Sequence, residues 1–139
     1  MAEIIKNVEE WSEASKRSVE YTFEPRPYVD IPYMCWRCKA PAVFTAEDQK
    51  RTYEVQKAHL WQSRVLCVPC HAERCRLDRE VLVCRRRWAV GKRELQRDIE
   101  FLRHWLAVLE AQAGHGARMD EANIIRLRRL VEQHPLRRA

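Results

Sequence analysis

Four cysteines in two short pairs are the residues of this chain best suited to chemistry. The pairs are Cys35-Trp36-Arg37-Cys38 and Cys67-Val68-Pro69-Cys70, with 28 residues between them. Each pair presents two sulfurs from one tight turn, and four thiolates make a complete ligand set for tetrahedral zinc. The spacing therefore predicts one Zn²⁺ ion and a long-range contact between the pairs. The predicted ligands are Cys35, Cys38, Cys67 and Cys70.

A zinc ion bound by four sulfurs would have a structural role, because its coordination shell leaves no position for water or a substrate. Metal binding contributes on the order of 10–16 kcal/mol of apparent stability to zinc-finger peptides. Iron in the same four-sulfur cage is an alternative, as is a substitute ligand, His71 or Cys75, close after the second pair. Cys84 lies among apolar residues at helical spacing and is predicted to be a small buried hydrophobic residue.

Three catalytic interpretations fail on residue order or spacing. His71-Ala72-Glu73 is typical of half a zinc deaminase site, but that site needs a later Pro-Cys-x-x-Cys, and here Pro69-Cys70 comes first. An HNH nuclease framed by two such pairs needs histidines and an asparagine between them, and the interval holds His59 alone. A dithiol redox protein would carry one pair in a βαβ setting. We therefore predict no catalytic residue, no enzymatic activity and no small-molecule substrate.

The positive charge is concentrated after the second cysteine pair. The net charge is +6; residues 1–70 hold ten basic and ten acidic residues, whereas residues 71–139 hold sixteen and ten. Fifteen of those sixteen are arginines, whose planar guanidinium groups suit phosphate. A solvated helical face with internal Glu–Arg pairs is the alternative. The candidate nucleic-acid-binding residues are Arg85, Arg86, Arg87, Lys92, Arg93, Arg97, Arg126, Arg128 and Arg129, with Trp36 and Trp61 as candidate stacking platforms.

Composition favours a folded protein of the cytoplasm. Hydrophobic residues make up 46% and charged residues 33% of the 139 residues. No apolar run approaches the roughly 18–20 residues of a membrane-spanning helix. The N-terminus lacks the apolar core of a secretory signal. In the cytoplasm we expect the six cysteines to serve as metal ligands and buried thiols rather than as disulfides.

Short elements are predicted around the cysteine pairs. Thr45 is a typical helix N-cap, and acidic residues follow it where the helix dipole favours negative charge. Alternating or helical spacing of apolar residues defines the other segments. The predicted elements are a helix over 3–16, strands over 18–23 and 42–44, a helix over 46–60 and a strand over 61–66.

Longer helices are predicted after the second pair. Leu77, Val81, Cys84 and Trp88 share one helical face, although Val81-Leu82-Val83 would also suit a strand. Gly91 is expected to break this helix. From Lys92 to Gln112 the leucines and isoleucine repeat at steps of four and three, and a last helix begins at Asp120 and ends before Pro135. Because a short glycine-containing loop joins these two helices, we expect them to form an antiparallel hairpin.

The surroundings of the pairs resemble the probable zinc-ribbon domains of bacterial proteins. The resemblance covers residues 33–71 and depends on a strand ending Phe44-Thr45, the acidic–Gln pair Asp48-Gln49, the aromatic Tyr53, and Arg64 before the second pair. A basic residue, His71, follows that pair, and Lys39 stands where a glycine is usual after the first pair. The resemblance implies two cysteine turns around one zinc ion, with a helix inserted between them, and implies no reaction.

The sequence as a whole predicts an α+β, mostly helical fold. Its parts would be an N-terminal helix and strand over 1–32 packed on the ribbon, a zinc ribbon over 33–71, and a basic helical region over 72–139 that includes the hairpin. The predicted function is that of a non-enzymatic bacterial binding protein that uses zinc as a structural staple and binds nucleic acid through its arginine-rich half. The alternative is a protein-interaction or assembly subunit of a larger complex.

Overall fold

The computed structural model describes residues 3–18, 27–60, 62 and 64–136. The chain divides into two compact units, Met1–Cys67 and Val68–Ala139, here called the N-terminal unit and the helical unit. Most of the predicted strand over 18–23, from residue 19 onward, lies outside the described residues, as does Trp61. The three-part division at residues 32 and 71 stays a prediction.

The N-terminal unit is built from short elements. A 3₁₀ turn, Val8–Glu10, is followed by helix α1, Glu13–Lys16. Strands β1, Ile31–Met34, and β2, Pro41–Phe44, form a two-stranded sheet, and helix α2, Ala46–Lys50, continues into a π-helical turn, Arg51–Val55.

The single helix predicted over 3–16 is wrong, because hydrogen bonds of the backbone and of a serine side chain interrupt it. Ile4 forms an isolated bridge with Tyr28 instead of entering a helix. Trp11 is extended, and the Ser12 side chain accepts a hydrogen bond from the backbone amide of Ser15, which starts α1 afresh. Two short turns therefore replace one amphipathic helix.

The predicted N-cap at Thr45 is confirmed, but the helix after it is shorter than predicted. The Thr45 hydroxyl accepts from the Asp48 amide. The π-helical turn ends at Val55, and Lys57 takes the left-handed conformation with φ of 59°. The predicted strand over 61–66 is wrong at each of its described residues, none of which is in a strand.

The sheet is an antiparallel hairpin whose turn carries the first cysteine pair. Residue pairs run from Ile31 opposite Phe44 to Met34 opposite Pro41. The predicted strand at 42–44 is thus confirmed, and its partner is β1. Phe44 is buried in the core of the N-terminal unit, which also contains Trp11, Tyr28, Ala46 and Tyr53.

A hydrogen-bonded chain of side chains crosses that core. Trp11 donates its indole N–H to the Tyr28 hydroxyl at 2.9 Å, and Tyr28 donates to Glu54 Oε2 at 2.8 Å. Burial, together with Glu54, raises the pKa of Tyr28 well above its usual range, despite the opposing bond from Trp11. Trp11, Tyr28 and Glu54 therefore each have a hydrogen-bond partner within this buried network, as burial of polar groups requires.

The helical unit contains three longer helices, α3, Val68–Leu95, α4, Ile99–Gly114, and α5, Glu121–Gln133. Val81-Leu82-Val83 lies within α3, so the strand alternative is wrong. Gly91 has non-helical dihedral angles (φ −127°, ψ 35°) inside α3, which agrees with the predicted break. The predicted helix from Lys92 is wrong at its start: α3 continues to Leu95, and the Asp98 carboxylate caps a new helix by accepting from the Phe101 amide.

Helix α4 packs against both α3 and α5, and α4 and α5 form the predicted hairpin. The core they share has an apolar composition, and Cys84 is buried within it as predicted. Asp120 begins α5 as predicted by accepting from the Asn123 amide. The buried residues are Leu77, Val81, Cys84, Phe101, Leu102, Trp105, Val108, Leu109, Ile124 and Leu127.

The fold class is therefore α+β and mostly helical, with one small antiparallel sheet, as predicted. Among the described residues, no helix is both long and apolar enough to cross a membrane.

Candidate metal centre

The four predicted ligands lie together. The Sγ atoms of Cys35, Cys38, Cys67 and Cys70 are all within 4.8 Å of one another, and those of Cys38 and Cys67 are 3.6 Å apart. With Zn–S bonds of about 2.3 Å, the edge of a tetrahedral site is about 3.8 Å. The four sulfurs thus fit one zinc ion with little adjustment.

The first cysteine pair occupies the turn of the β1–β2 hairpin. The Cys35 amide donates to the Ala40 carbonyl, and the Lys39 amide donates to the Cys35 carbonyl, both at 2.9 Å. Lys39 has φ of 62°, a conformation that favours glycine, which explains why glycine is usual at this position in the zinc-ribbon pattern. Here the Lys39 ammonium donates to the Trp36 carbonyl at 2.7 Å.

The second pair lies at the start of a helix. Cys67 immediately precedes α3 and Cys70 is in its first turn, where the helix dipole stabilises thiolates. Pro69 is compatible with this position, since first-turn amides have no intrahelical partner. This arrangement corrects the predicted strand leading into the second pair, although the pairing of two cysteine turns around one ion is unchanged.

The segment that carries Cys67 is fixed by groups of the hairpin. The Trp36 amide donates to the Val65 carbonyl at 2.7 Å, and the Tyr33 hydroxyl donates to the Leu66 carbonyl at 2.8 Å. These two bonds satisfy the Val65 and Leu66 carbonyls with a single amide and a side-chain hydroxyl, and the described residues before Cys67 form no strand ladder.

Three residues of the zinc-ribbon pattern have clear positioning roles. The Gln49 side-chain amide, buried, donates to the carbonyls of Val29 and Phe44 at 2.5 and 2.9 Å and so ties α2 to the sheet. The Arg64 guanidinium lies 4.7 Å from the centre of the Phe44 ring. Tyr53 donates its hydroxyl to the Gln62 carbonyl at 3.1 Å. The positioning role of Gln49 was not predicted, and the resemblance was its only signal.

The site favours thiolates over thiols at Cys35. Burial raises the pKa of the Cys35 thiol, but the backbone amides of Cys38, Cys67 and Arg37, which donate to its sulfur, outweigh burial and lower the pKa to about 6. Cys35 and Cys70 are buried, Cys67 is half-buried and Cys38 is exposed. Amides that already point at the sulfur are suited to a negatively charged metal–thiolate cluster.

Four thiolates define the chemistry of the centre. Soft sulfur donors in a tetrahedral set are typical of zinc, and a filled shell has no open position. The described residues that form this cluster are the four cysteines, so the metal needs neither His71 nor Cys75 as a substitute ligand. All six cysteines are free of disulfides.

The known protein families provide an independent comparison. Residues 29–79 match the family model of a probable treble clef domain. No curated protein and no solved structure matches the chain.

The treble clef match agrees with the geometry of the centre. It contains both cysteine pairs and extends past residue 71 into α3, the helix on which Cys70 lies. The predicted resemblance to a zinc-ribbon-like domain around residues 33–71 is confirmed at the level of a zinc-finger-like domain, for which the family match spans residues 29–79. The cofactor prediction, one structural zinc ion, is confirmed as well.

The predicted nucleic-acid-binding residues are distributed unevenly over the helical unit. Arg87 lies over the Phe101 ring at 4.7 Å, and Lys92 and Arg126 lie over the Trp88 ring at 6.0 and 5.0 Å. Among the described residues, no aromatic ring lies against the other candidates. Arg85 pairs with Asp120 at 3.2 Å, and Arg128 pairs with Glu110 at 3.0 Å. The remaining candidates, exposed on α3, α5 or the turn between α3 and α4, are Arg86, Arg93, Arg97 and Arg129.

Proposed function

We propose that the protein binds nucleic acid through the helical unit and that zinc serves as a structural staple for the treble clef segment. The observation that carries the proposal is a cluster of cations around one pair of aromatic rings. Trp88 and Phe101 are stacked, with ring centres 6.4 Å apart and planes within 8°. The cation–aromatic cluster consists of these two rings with Arg87, Lys92 and Arg126.

The charge of this cluster is available to an anionic ligand. Among the described residues, no carboxylate lies within ion-pair distance of Arg87, Lys92 or Arg126, and Arg126 donates instead to the neutral Asn123 side chain at 2.6 Å. An aromatic face fixes a guanidinium without neutralising it. Arg128 contrasts with these residues, because its charge is compensated by Glu110.

Contacts with the phosphate backbone are the mode that this surface favours. Trp88 is only partly exposed and Phe101 is buried, so neither ring offers a free face for base stacking. Phosphate contacts carry no sequence information and release counterions, which makes affinity salt-dependent. We therefore propose binding with low sequence preference.

The absence of catalysis and a cytoplasmic location belong to the same proposal. A four-thiolate shell leaves no coordination position for a substrate. Four reduced cysteines suit a reducing compartment, where thiols are kept free for metal. The absence of catalysis is tested by whether purified protein retains zinc and nucleic acid together without turnover of the nucleic acid.

The direct test is binding of fluorescent single- and double-stranded oligonucleotides at increasing salt. We expect log affinity to fall linearly with log salt, with a slope of about −0.7 to −0.9 for each neutralised phosphate. Arg87→Gln with Lys92→Gln should reduce the steepness of the slope by about 1.5 and weaken binding about tenfold or more at low salt.

Arg128→Gln is the matched control, since it also removes one arginine of the helical unit but one that already has a carboxylate partner. It should change affinity much less than the loss of Arg87 or Lys92. Absence of binding to either kind of strand at low salt would contradict the proposal. Equal effects of all three substitutions would show that net charge matters and the cluster does not.

A second candidate function, protein interaction, is favoured by one face of the sheet in the N-terminal unit. The pairs Pro32–Val43 and Met34–Pro41 point to the same side, and all four side chains are exposed. Val43 is 50% and Met34 is 66% exposed. Contiguous exposed apolar residues are typical of interaction surfaces.

Charge insertion distinguishes this candidate from the first. Val43→Glu and Met34→Glu should abolish capture of a protein partner while leaving oligonucleotide binding unchanged. Val90→Glu, at a 91% exposed position in the helical unit, is the control for an added surface charge. A partner still captured by both sheet variants would exclude this face as its binding surface.

A further inference from the structure

A pair of metal-ligating side chains lies on the surface of α3, outside the four-cysteine cluster. His71 and Cys75 are four residues apart, so their side chains occupy the same helix face. His71 is exposed and Cys75 is half-buried. The atoms that could bind a metal, His71 Nε2 and Cys75 Sγ, are 3.5 Å apart.

This distance suits two ligands of one tetrahedral ion. With a Zn–N bond of about 2.05 Å and a Zn–S bond of about 2.3 Å, the nitrogen and sulfur would be about 3.6 Å apart. Both residues belong to one continuous stretch of α3, which lies before its irregularity at Gly91. The pair is therefore already held close to the geometry that a metal requires.

Part of the positive charge near the pair is compensated by a carboxylate. Arg76, on the next residue after Cys75, is held by Glu73 through two hydrogen bonds, of 2.9 and 2.5 Å. That ion pair compensates one of the two guanidinium charges adjacent to Cys75 in sequence, the other being that of Arg74.

We propose that His71 and Cys75 form a second metal site, which takes a borderline divalent cation such as Zn²⁺ independently of the structural ion. Binding forms one metal–nitrogen and one metal–sulfur bond, breaks the S–H bond of Cys75 and releases that proton to solvent, without oxidation or reduction. The two protein ligands leave the remaining coordination positions for water or for ligands of another molecule. The site is consequently weaker and more exchangeable than the closed four-sulfur centre.

The test uses the full-length protein loaded with one equivalent of zinc. A second equivalent of Zn²⁺ is added in competition with a chromogenic chelator, and alkylation of Cys75 by iodoacetamide is followed by mass spectrometry. We expect a weaker second equivalent to bind and to slow Cys75 alkylation about tenfold or more, because a coordinated thiolate is a poor nucleophile. Cys84 is buried in the core of the helical unit and should stay unalkylated throughout, so it reports that the protein remains folded during the reaction.

Three variants separate the site from non-specific binding. His71→Ala and Cys75→Ser should each lose the second equivalent and keep the first, which also verifies that each variant is folded. His104→Ala removes another exposed helix histidine, one that contacts Glu80 at 3.2 Å, and should keep both equivalents. The proposal is overturned if wild type binds a single equivalent, or if His71→Ala still protects Cys75, since the thiol alone would then bind metal adventitiously.

Discussion

The two units of this chain achieve order by different means. The N-terminal unit has short elements, a small aromatic core and polar side chains bonded across it, and its hairpin ends in a metal site. The helical unit has three longer helices around a larger, mainly aliphatic and aromatic core, with Asp98 and Asp120 as helix caps. A small core seldom supplies enough apolar burial to fold alone, and we expect the larger core of the helical unit to depend less on metal.

Backbone strain follows the same division. Among the described residues, the non-glycine residues with positive φ are Lys39 and Lys57, and both lie in the N-terminal unit. In the helical unit, the described residue with positive φ is a glycine, Gly116. Strained conformations persist where the surrounding structure over-determines them. A metal ion that ties four side chains together provides such over-determination. We infer that zinc compensates in the N-terminal unit for what apolar packing supplies in the helical unit.

The strongest test of this contrast is Cys67→Ser. Removing one of four thiolates should abolish tight zinc binding, which contributes on the order of 10 kcal/mol or more to small zinc modules. We expect amide protons of β1, β2 and α2 to lose protection from hydrogen exchange while those of α4 and α5 keep it. Metal analysis and residue-resolved exchange measure both effects.

Cys75→Ser is the matched control, because it removes a thiol outside the four-cysteine centre. It should retain the tightly bound ion and the protection of the hairpin. If Cys67→Ser instead left the hairpin protected, or unfolded α4 and α5 to the same extent, the two units would not differ in their dependence on metal.

The converse test removes packing from the helical unit. Leu102 is fully buried in α4, and Leu102→Ala should lower the free energy of unfolding of that unit by about 2–5 kcal/mol through lost burial and a residual cavity. Zinc content should not change. Urea denaturation followed by circular dichroism, with Leu82→Ala at a 45% exposed position of α3 as control, measures the difference. Loss of zinc from the Leu102 variant would contradict the expectation that zinc binding does not depend on packing in the helical unit.

Acid should weaken the helical unit through its cap at Asp120. Burial raises the pKa of this carboxyl, but hydrogen bonds from Asn123 and Arg85 outweigh burial and lower the pKa below its usual value. Because the folded-state pKa is lowered, the stabilisation is complete above the unfolded value, about 3.9, and is lost as pH falls through the folded value. Asp120→Asn should remove this acid-sensitive part, about 1 kcal/mol or less.

Hydrogen exchange at Ile124 and Leu127, measured on metal-free protein between pH 7 and the acid range, isolates this effect from zinc release. Wild type should lose protection in α5 at low pH more steeply than the variant. Parallel pH profiles for the two proteins would mean that the Asp120 charge does not stabilise α5.

The contrast between the units also explains what sequence could predict. Features that depend on local chemistry were predictable: the four thiolates, the caps at Thr45 and Asp120, the buried Cys84 and the irregularity at Gly91. Features of the N-terminal unit that depend on non-local bonds were not. The residues before Cys67 have the composition of a strand, yet Tyr33 and Trp36 take the carbonyls of Leu66 and Val65. Likewise, the bridge of Ile4 with Tyr28 prevents a helix that apolar spacing alone favours.

The smallest expected effect concerns the strained residue within the metal turn. Lys39 has φ of 62°, which costs about 1 kcal/mol for a residue with a Cβ atom, and its ammonium bond to the Trp36 carbonyl offsets part of this cost. Lys39→Gly should therefore stabilise the N-terminal unit slightly, by about 0.5 kcal/mol. Lys39→Ala loses the ammonium bond but keeps the Cβ atom, so it should be less stable than both wild type and the glycine variant. Stability is measured with zinc bound, at a fixed concentration of free zinc, because the hairpin that contains Lys39 depends on zinc for its folding. If alanine and glycine at position 39 had equal effects, the turn would not be strained, and zinc would have no backbone strain to compensate there.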